Sequence, residues 1–468
     1  MRPEEFRGQI PYGDKLEKRS SFIRSIKKVY HAQAEHRLLQ LCGGFSRSVY
    51  LMRTSPPNEV SDHLEKIDSE MKAAIGSFFG GELSVLELAQ ALLKISCGGF
   101  GLRSTTEHHS AALIGGIVQV EKGIRRILKK LFPEEDAILP KTDMLLKEAV
   151  AVYNSNVLIA HRIVDVDALD PKIHTQKKLS GKIEKCKLSQ LRAAYSAGPN
   201  PNVHIGRLNE LREKHAGAWL TAPLGFHPHQ VMTSKQFRVS CGIRLGKQFL
   251  PSDMICNFPE HRRNGSARQP HSVGVGCHCL FTCKAKAQSI KIHDSIKYSI
   301  GDFALAGKAR VDFEHMVGEP PRPQSRADVA LVNFDGGNTL VLDVSLIDPL
   351  GTASLAQTKE KGGSAPNSRE ESKIRKYRDI FTPARGYEFH PFGMSYYGSF
   401  GNHAIGIIER LAYRYARALD IEVPIALEKI YTNLSLTLQT YLATCILLRV
   451  NFPSQSYDAR VPIEPPHD

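Results

Sequence analysis

The sequence lacks the apolar runs that hold a chain in a membrane. Its first stretch, MRPEEFRGQIPYGDKLEKRS, has nothing like the core of a secretory signal. The most apolar segment, Leu434 to Leu448, is interrupted by Ser435, Thr437, Gln439, Thr440 and Thr444, so no membrane span is expected. No long basic amphipathic helix or lipidation motif stands out. No Gly-Lys-Ser/Thr follows the glycines of CGGFGLRS (Cys97 to Ser104), which excludes a phosphate loop and leaves a turn before a helix. A Tyr-x-Asp-Asp pair is absent too, so the chain is not expected to copy a nucleic acid template.

Acidic charge is also in short supply. The 468 residues carry a formal net charge of +14, which favours a polyanionic partner because each Lys or Arg set against a phosphate releases condensed counterions. A solvated basic surface is the alternative. With 42% apolar and 24% charged residues the chain has the composition of a globular protein, long enough for several domains. Of nine cysteines, five (Cys241, Cys256, Cys277, Cys279 and Cys283) crowd into one region, a clustering that suits a metal site better than a disulfide framework. The expected setting is intracellular and reducing, nuclear if the partner is DNA and otherwise cytoplasmic.

From Phe22 to about Tyr153 apolar residues recur at three- and four-residue spacing, as in VSDHLEKIDSEMKAAIGSFF and AALIGGIVQVEKGIRRILKKLF, which predicts a mainly α-helical N-terminal half. Residues 166–235 read as a basic linker and helical connector. Lys172, Lys177, Lys178, Lys182, Lys185, Lys187 and Arg192 follow one another closely, then comes the breaker Gly198-Pro199-Asn200-Pro201. Those lysines either track phosphates or form a solvated helix face.

Residues 236–298 hold the candidate zinc site. Structural zinc takes four ligands in a tetrahedron, usually as two close pairs. His278 or Cys279 with Cys283 supplies one pair; for the other, Cys256 needs His261 or His271, since no cysteine follows it at short range. A metal-free cluster is the alternative.

RADVALVNFDGGNTLVLDVSLIDP, Arg326 to Pro349, reads as a hairpin of strands Asp328–Phe334 and Thr339–Ile347 around Asp335-Gly336-Gly337-Asn338. A turn centred between Gly336 and Gly337 pairs Asp328 with Ser345 and Asp343 with Ala330. Both aspartates then share one face as diagonal neighbours, while Val329, Leu331, Leu340, Leu342, Val344 and Leu346 line the other. Downstream, Ser368 and Glu371 form a capping-box signature for a helix beginning near Arg369, on which Lys373, Lys376 and Tyr377 share a face. Two carboxylates holding Mg²⁺ beside a lysine form a minimal kit for hydrolysing a phosphodiester. In that reading Asp328 and Asp343 hold the metal, Lys373 is the positioned cation, Lys376 or Tyr377 supports it, and Glu319 or Glu314 completes the metal shell. A surface hairpin that happens to carry two acids is the plain alternative. Arg326, Lys284, Lys286, Lys291 and His293 are the expected nucleic-acid contacts nearby.

The order RADVALVNF, LVLDVSLIDP, Lys373 with Lys376 and Tyr377, then FHPFGMSYYGSFG resembles the restriction-like PD-(D/E)xK endonuclease of site-specific non-LTR retrotransposons. In that family the lysine is displaced onto the helix after the second strand, and a cysteine-histidine knuckle lies upstream, which GCHCLFTC followed by His293 resembles. YLMRTSPP, ALLKISCGGFGLRS and AWLTAPL resemble the helical region that follows the polymerase palm. The resemblance implies a multidomain chain: a helical connector over 1–165, the basic linker, a small zinc knuckle, an α/β restriction-endonuclease-like domain with a mixed central sheet over 299–425, and a C-terminal helix and tail over 426–468. It further implies an Mg²⁺-dependent nick in a DNA target, with structural Zn²⁺. Element RNA and a reverse transcriptase portion, in the same polyprotein or in trans, are the further partners. The competing class is a non-catalytic nucleic-acid-binding remnant. Ala327 stands where the family usually has proline, and the missing palm implies a piece of a larger element, a separate reading frame or a domesticated remnant.

Overall fold

The computed structural model describes residues 12–43, 45–131, 140–224, 231–246, 286–317, 325–334 and 338–449. It is mostly helical, with one small mixed sheet in the C-terminal half. Two compact units divide between Pro199 and Asn200, inside the Gly-Pro-Asn-Pro breaker. Among the described residues no helix is long and apolar enough to cross a membrane.

Among the described residues the first unit has eight α-helices: α1 Tyr12–Ile26, α2 Ala32–Leu38, α3 Phe45–Thr54, α4 Pro57–Phe79, α5 Val85–Ala91, α6 Thr105–Leu131, α7 Pro140–Ser155 and α8 Gln176–Ala197. Their ends follow local chemistry. Pro57 opens α4, where its missing N–H costs nothing, and Gly80 closes it in the left-handed conformation that a side chain resists. Ser84 and Glu87 make a reciprocal capping box on α5. Buried Asp68 accepts from the backbone N–H groups of Thr105 (2.8 Å) and Thr106 (3.1 Å), supplying an anion to the first turn of α6. CGGFGLRS forms the turn into α6, with Gly98 and Gly101 at positive φ.

The stretch read as a basic linker and helical connector contains α8, which packs into the core of this unit. Leu179 and Ile183 are buried against Ile114 and Val118 of α6 and Leu146, Val150 and Tyr153 of α7. Its Lys177, Lys178 and Lys185 are exposed, and Lys187 pairs with Glu107 of α6. α6 can approach α8 closely because position 115 has no side chain: a Cβ there would stand 2.5 Å from the Gln176 backbone nitrogen.

The second unit runs through α9 Pro201–Leu211, α10 Ser234–Leu245, α11 Lys286–Ala306, β1 Arg310–Val317, β2 Ser325–Val332, β3 Thr339–Ile347, α12 Leu355–Thr358, α13 Ser364–Tyr377, β4 Tyr387–Ser395, α14 Asn402–Leu419 and α15 Val423–Arg449. The sheet order is β1-β2-β3-β4; the first three strands are antiparallel and β4 is parallel to β3. A parallel pair needs a long crossover, which α13 provides. One face of the sheet carries Val329, Leu331, Leu340, Leu342 and Val344 into a core shared with α11, α14 and α15. The other carries Val341 against Tyr377 and Phe381. The two faces therefore divide as the alternation of β3 predicts.

Two local expectations change. The hairpin register is Val329 to Leu342, Ala330 to Val341 and Leu331 to Leu340, so β2 lies two residues off the pairing expected from a turn centred at Gly336-Gly337. The ladder is left at Asn333, which takes a positive φ (50°), and Phe334 is buried, with the Arg414 guanidinium 4.8 Å over its ring and donating to its carbonyl oxygen. Strand β2 thus ends at Val332. The second change concerns α13, which starts at Ser364 after Gly363 (φ 69°), not near Arg369. Pro366 fits in its first turn, and Ser368 donates its hydroxyl hydrogen bond to Gln357 (3.1 Å) instead of capping.

Candidate active site

β3 places Asp343 in the middle of the sheet, between β2 and the parallel strand β4, where the residue is 6% exposed. A carboxylate so deep needs a partner. Lys373, in the second half of α13, supplies it: Nζ lies 2.7 Å from Oδ2 and 3.0 Å from Oδ1. Ser345 lies 3.4 Å from Oδ2 through its hydroxyl. The sequence therefore brings Lys373 to Asp343 across thirty residues, because α13 is the crossover that returns the chain alongside β3.

The aromatic floor beneath this pair is Tyr377, buried with Val341, Phe381 and Ala327. The Lys373 ammonium lies 5.6 Å from the Tyr377 ring centroid and that of Lys376 4.5 Å, both within reach of the ring quadrupole. Lys376 also donates to the Tyr377 hydroxyl oxygen at 3.0 Å, and this bond holds the Lys376 ammonium more firmly protonated than usual. Lys373, Lys376 and Tyr377 thus form one group, as their helical spacing predicts.

Asp328 directly precedes Val329, the first β2 residue paired with β3, and its side chain reaches β3 at the residue after Asp343. Asp328 Oδ2 accepts the Val344 backbone N–H at 2.7 Å and lies 3.2 Å from His293 Nε2, which is also 3.2 Å from the Val344 carbonyl oxygen. Both partners can only accept, so Nε2 carries the proton. On its other side His293 Nδ1 faces Asp294 Oδ1 at 3.2 Å. Burial alone would depress the His293 pKa, but the bonds to Asp328 and Asp294 outweigh it and raise it.

Glu314 sits at positive φ (57°) in β1, and its carboxylate pairs with Lys297 and with Arg326 Nε (2.6 Å). Two cations already claim it, and Arg326 is held by it while remaining largely exposed. Lys291 is exposed on α11 and Lys286 begins that helix. Glu319, Lys284 and the zinc candidates Cys256, His261, His271, His278, Cys279 and Cys283 lie outside the described residues.

Three features escape sequence reading. The contact of His293 with Asp328, and of Asp294 with His293, is made by α11, a helix that no motif announces. β1 adds a fourth strand to the hairpin's outer edge. Glu370 of α13 is buried and accepts from the backbone N–H groups of Gly393 (3.0 Å), His403 (2.9 Å) and Ala404 (3.0 Å), fixing α13 to β4 and to the first turn of α14. The glycine at 401 is required there, since a Cβ would stand 2.2 Å from the Glu370 carboxyl carbon.

Among the described residues no group of three or more His, Cys, Asp or Glu side chains is arranged to hold a metal ion. Two carboxylates are nevertheless the donor set that Mg²⁺ uses, since it keeps several waters and is commonly bound by one or two carboxylates plus substrate phosphate. Asp328 Oδ1 takes part in none of the described hydrogen bonds and is available as one such donor. Compared with family models and with curated proteins, the sequence matches none.

Proposed function

We propose that the protein is a divalent-metal-dependent DNA endonuclease that nicks its target by phosphodiester hydrolysis at Asp328, Asp343 and Lys373. One observation carries the reading: Lys373, on a separate helix, is set on Asp343, while Asp328 of the neighbouring strand accepts the N–H of Val344, the residue next to Asp343. Mg²⁺ bound at these carboxylates supplies charge neutralisation and an acidified water. Asp343 and Asp328 would hold that cation through their carboxylate oxygens. The Lys373 ammonium, beside Asp343, would face a phosphate oxygen, where its positive charge would stabilise the developing anion. Tyr377 keeps Lys373 in place through its ring, and Lys376 offers a second cation to the DNA backbone. The net positive charge suits a polyanion. The motif order that resembles the retrotransposon endonuclease, with a structural Zn²⁺ upstream, belongs to the same proposal.

A second reading is favoured by one fact. Lys373 engages both oxygens of Asp343 and could serve as a permanent ion pair in a nucleic-acid-binding protein without turnover. Nicking of supercoiled plasmid in Mg²⁺, run beside Asp343→Ala, separates the two. Activity lost in the variant supports the endonuclease, and DNA binding without nicking in either protein supports the second reading.

A further inference from the structure

We propose that His293 is a positioning residue for Asp328: it clamps one carboxylate oxygen so that the other is presented to a divalent cation. The inference rests on the metal-site reading above but assigns a role that the motif does not contain. The clamp closes from two sides. The Val344 N–H donates to Asp328 Oδ2 from within the sheet, and His293 Nε2 donates to the same oxygen from α11 while also reaching the Val344 carbonyl oxygen. Val344 follows Asp343 directly, so the imidazole ties Asp328 to the strand segment that carries the other acid. Oδ2 is thereby committed and Oδ1 left for a ligand.

The ring itself is held. Asp294 Oδ1 faces His293 Nδ1 and is anchored by Lys297 at 3.0 Å; Lys297, whose side chain is only 2% exposed, also pairs with Glu314 of β1. Rotating the imidazole would break its bonds on both edges and strip Asp294 of a partner. A carboxylate with a free χ2 samples many orientations, and a cation that needs two oxygens at fixed geometry binds more weakly to it. Outer-shell partners of metal-binding groups typically contribute about 10–100-fold in metal affinity or activity when removed. A purely structural tie between α11 and the sheet would instead affect stability and leave cation affinity alone.

The test uses the full chain and Mn²⁺ as probe, following free Mn²⁺ by electron paramagnetic resonance, with Asp328→Asn identifying the relevant site as the one it abolishes. His293→Ala is expected to weaken Mn²⁺ at that site by about 10–100-fold and to raise the Mg²⁺ concentration for half-maximal nicking by a similar factor, with nicking recovering at saturating Mg²⁺. His293→Gln, which retains an N–H donor, should bind between wild type and His293→Ala, and it replaces the alanine variant if that one unfolds. Unchanged Mn²⁺ affinity in folded His293 variants, or a lowered melting temperature as their only defect, overturns the proposal. If wild type binds Mn²⁺ His293-dependently but never nicks, the endonuclease reading falls and the positioning role stands. If Asp328→Asn leaves Mn²⁺ binding intact while wild type nicks, the positioning role falls alone.

Discussion

At the scale of single residues, Lys373 and Asp343 form a pair in which each covers the other's buried charge. Removing one partner of such a pair strands the second, at a typical cost of about 3–5 kcal/mol. Lys373→Met should therefore destabilise the second unit by about 3 kcal/mol in chelator, and Mg²⁺ should restore part of the loss by binding the exposed Asp343 carboxylate. Melting curves of the variant with and without Mg²⁺ check this; equal curves would mean that Asp343 takes no cation.

Glu210 makes a second residue-level case. It is fully buried, accepts from the Ser395 and Ser399 hydroxyls and from the Gly363 N–H, and burial pushes its carboxyl above the usual range despite those bonds. A raised folded pKa means that its contribution to stability is full below the unfolded value and is lost as pH rises through the folded one. Stability should fall as pH climbs from the ordinary glutamate range upward, and Glu210→Gln should flatten that slope in denaturant titrations across pH. A slope of the same steepness in the variant would assign the dependence elsewhere.

At the scale of elements, the hairpin alternation was legible, because Leu340, Leu342 and Val344 recur at every second position and share the face that meets the larger core. Register was not: the ladder is left at Asn333, and Phe334 is buried beneath Arg414, eighty residues away. The start of α13 was misplaced for a similar reason: Ser368 and Glu371 have the spacing of a capping box, but Gly362 and Gly363 allow the turn earlier, against α9. Lys373, Lys376 and Tyr377 share a face whichever residue begins the helix, so their grouping survived. His293 was read as a nucleic-acid contact and as part of the knuckle-like stretch; its bond to Asp328 was not legible, because nothing in KIHDSIKY states which strand its helix will cross.

Helix approach gives a prediction at this scale. The α6–α8 crossing leaves no room for a Cβ at position 115. Gly115→Ala raises helix propensity but drives a methyl into the Gln176 backbone, and overpacking of this kind costs about 1–3 kcal/mol. Chemical denaturation should show a net loss of stability, whereas a gain would show that the helices move apart freely.

At the scale of the whole molecule, the positive charge is carried in part by α8, whose Lys177, Lys178 and Lys185 are exposed. The polarity of this stretch made it read as a basic linker and helical connector, yet its Leu179, Ile183, Leu188 and Leu191 are buried. Charge swamps a helical period when lysines crowd a short window. If these lysines meet DNA, replacing the three by serine should weaken binding uniformly across sequences. The slope of log affinity against log salt should then shrink by about 0.9 for each phosphate that is no longer neutralised. An unchanged slope would make them a solvated surface.

The central claim is that Asp343, with Asp328 and Lys373, cleaves a phosphodiester. Its most direct measurement is conversion of supercoiled plasmid to nicked circle by the purified chain in Mg²⁺, compared with Asp343→Ala and with wild type in chelator. Wild type with Mg²⁺ should give nicked circle, and the other two none above background. Equal nicking by Asp343→Ala and wild type would contradict it.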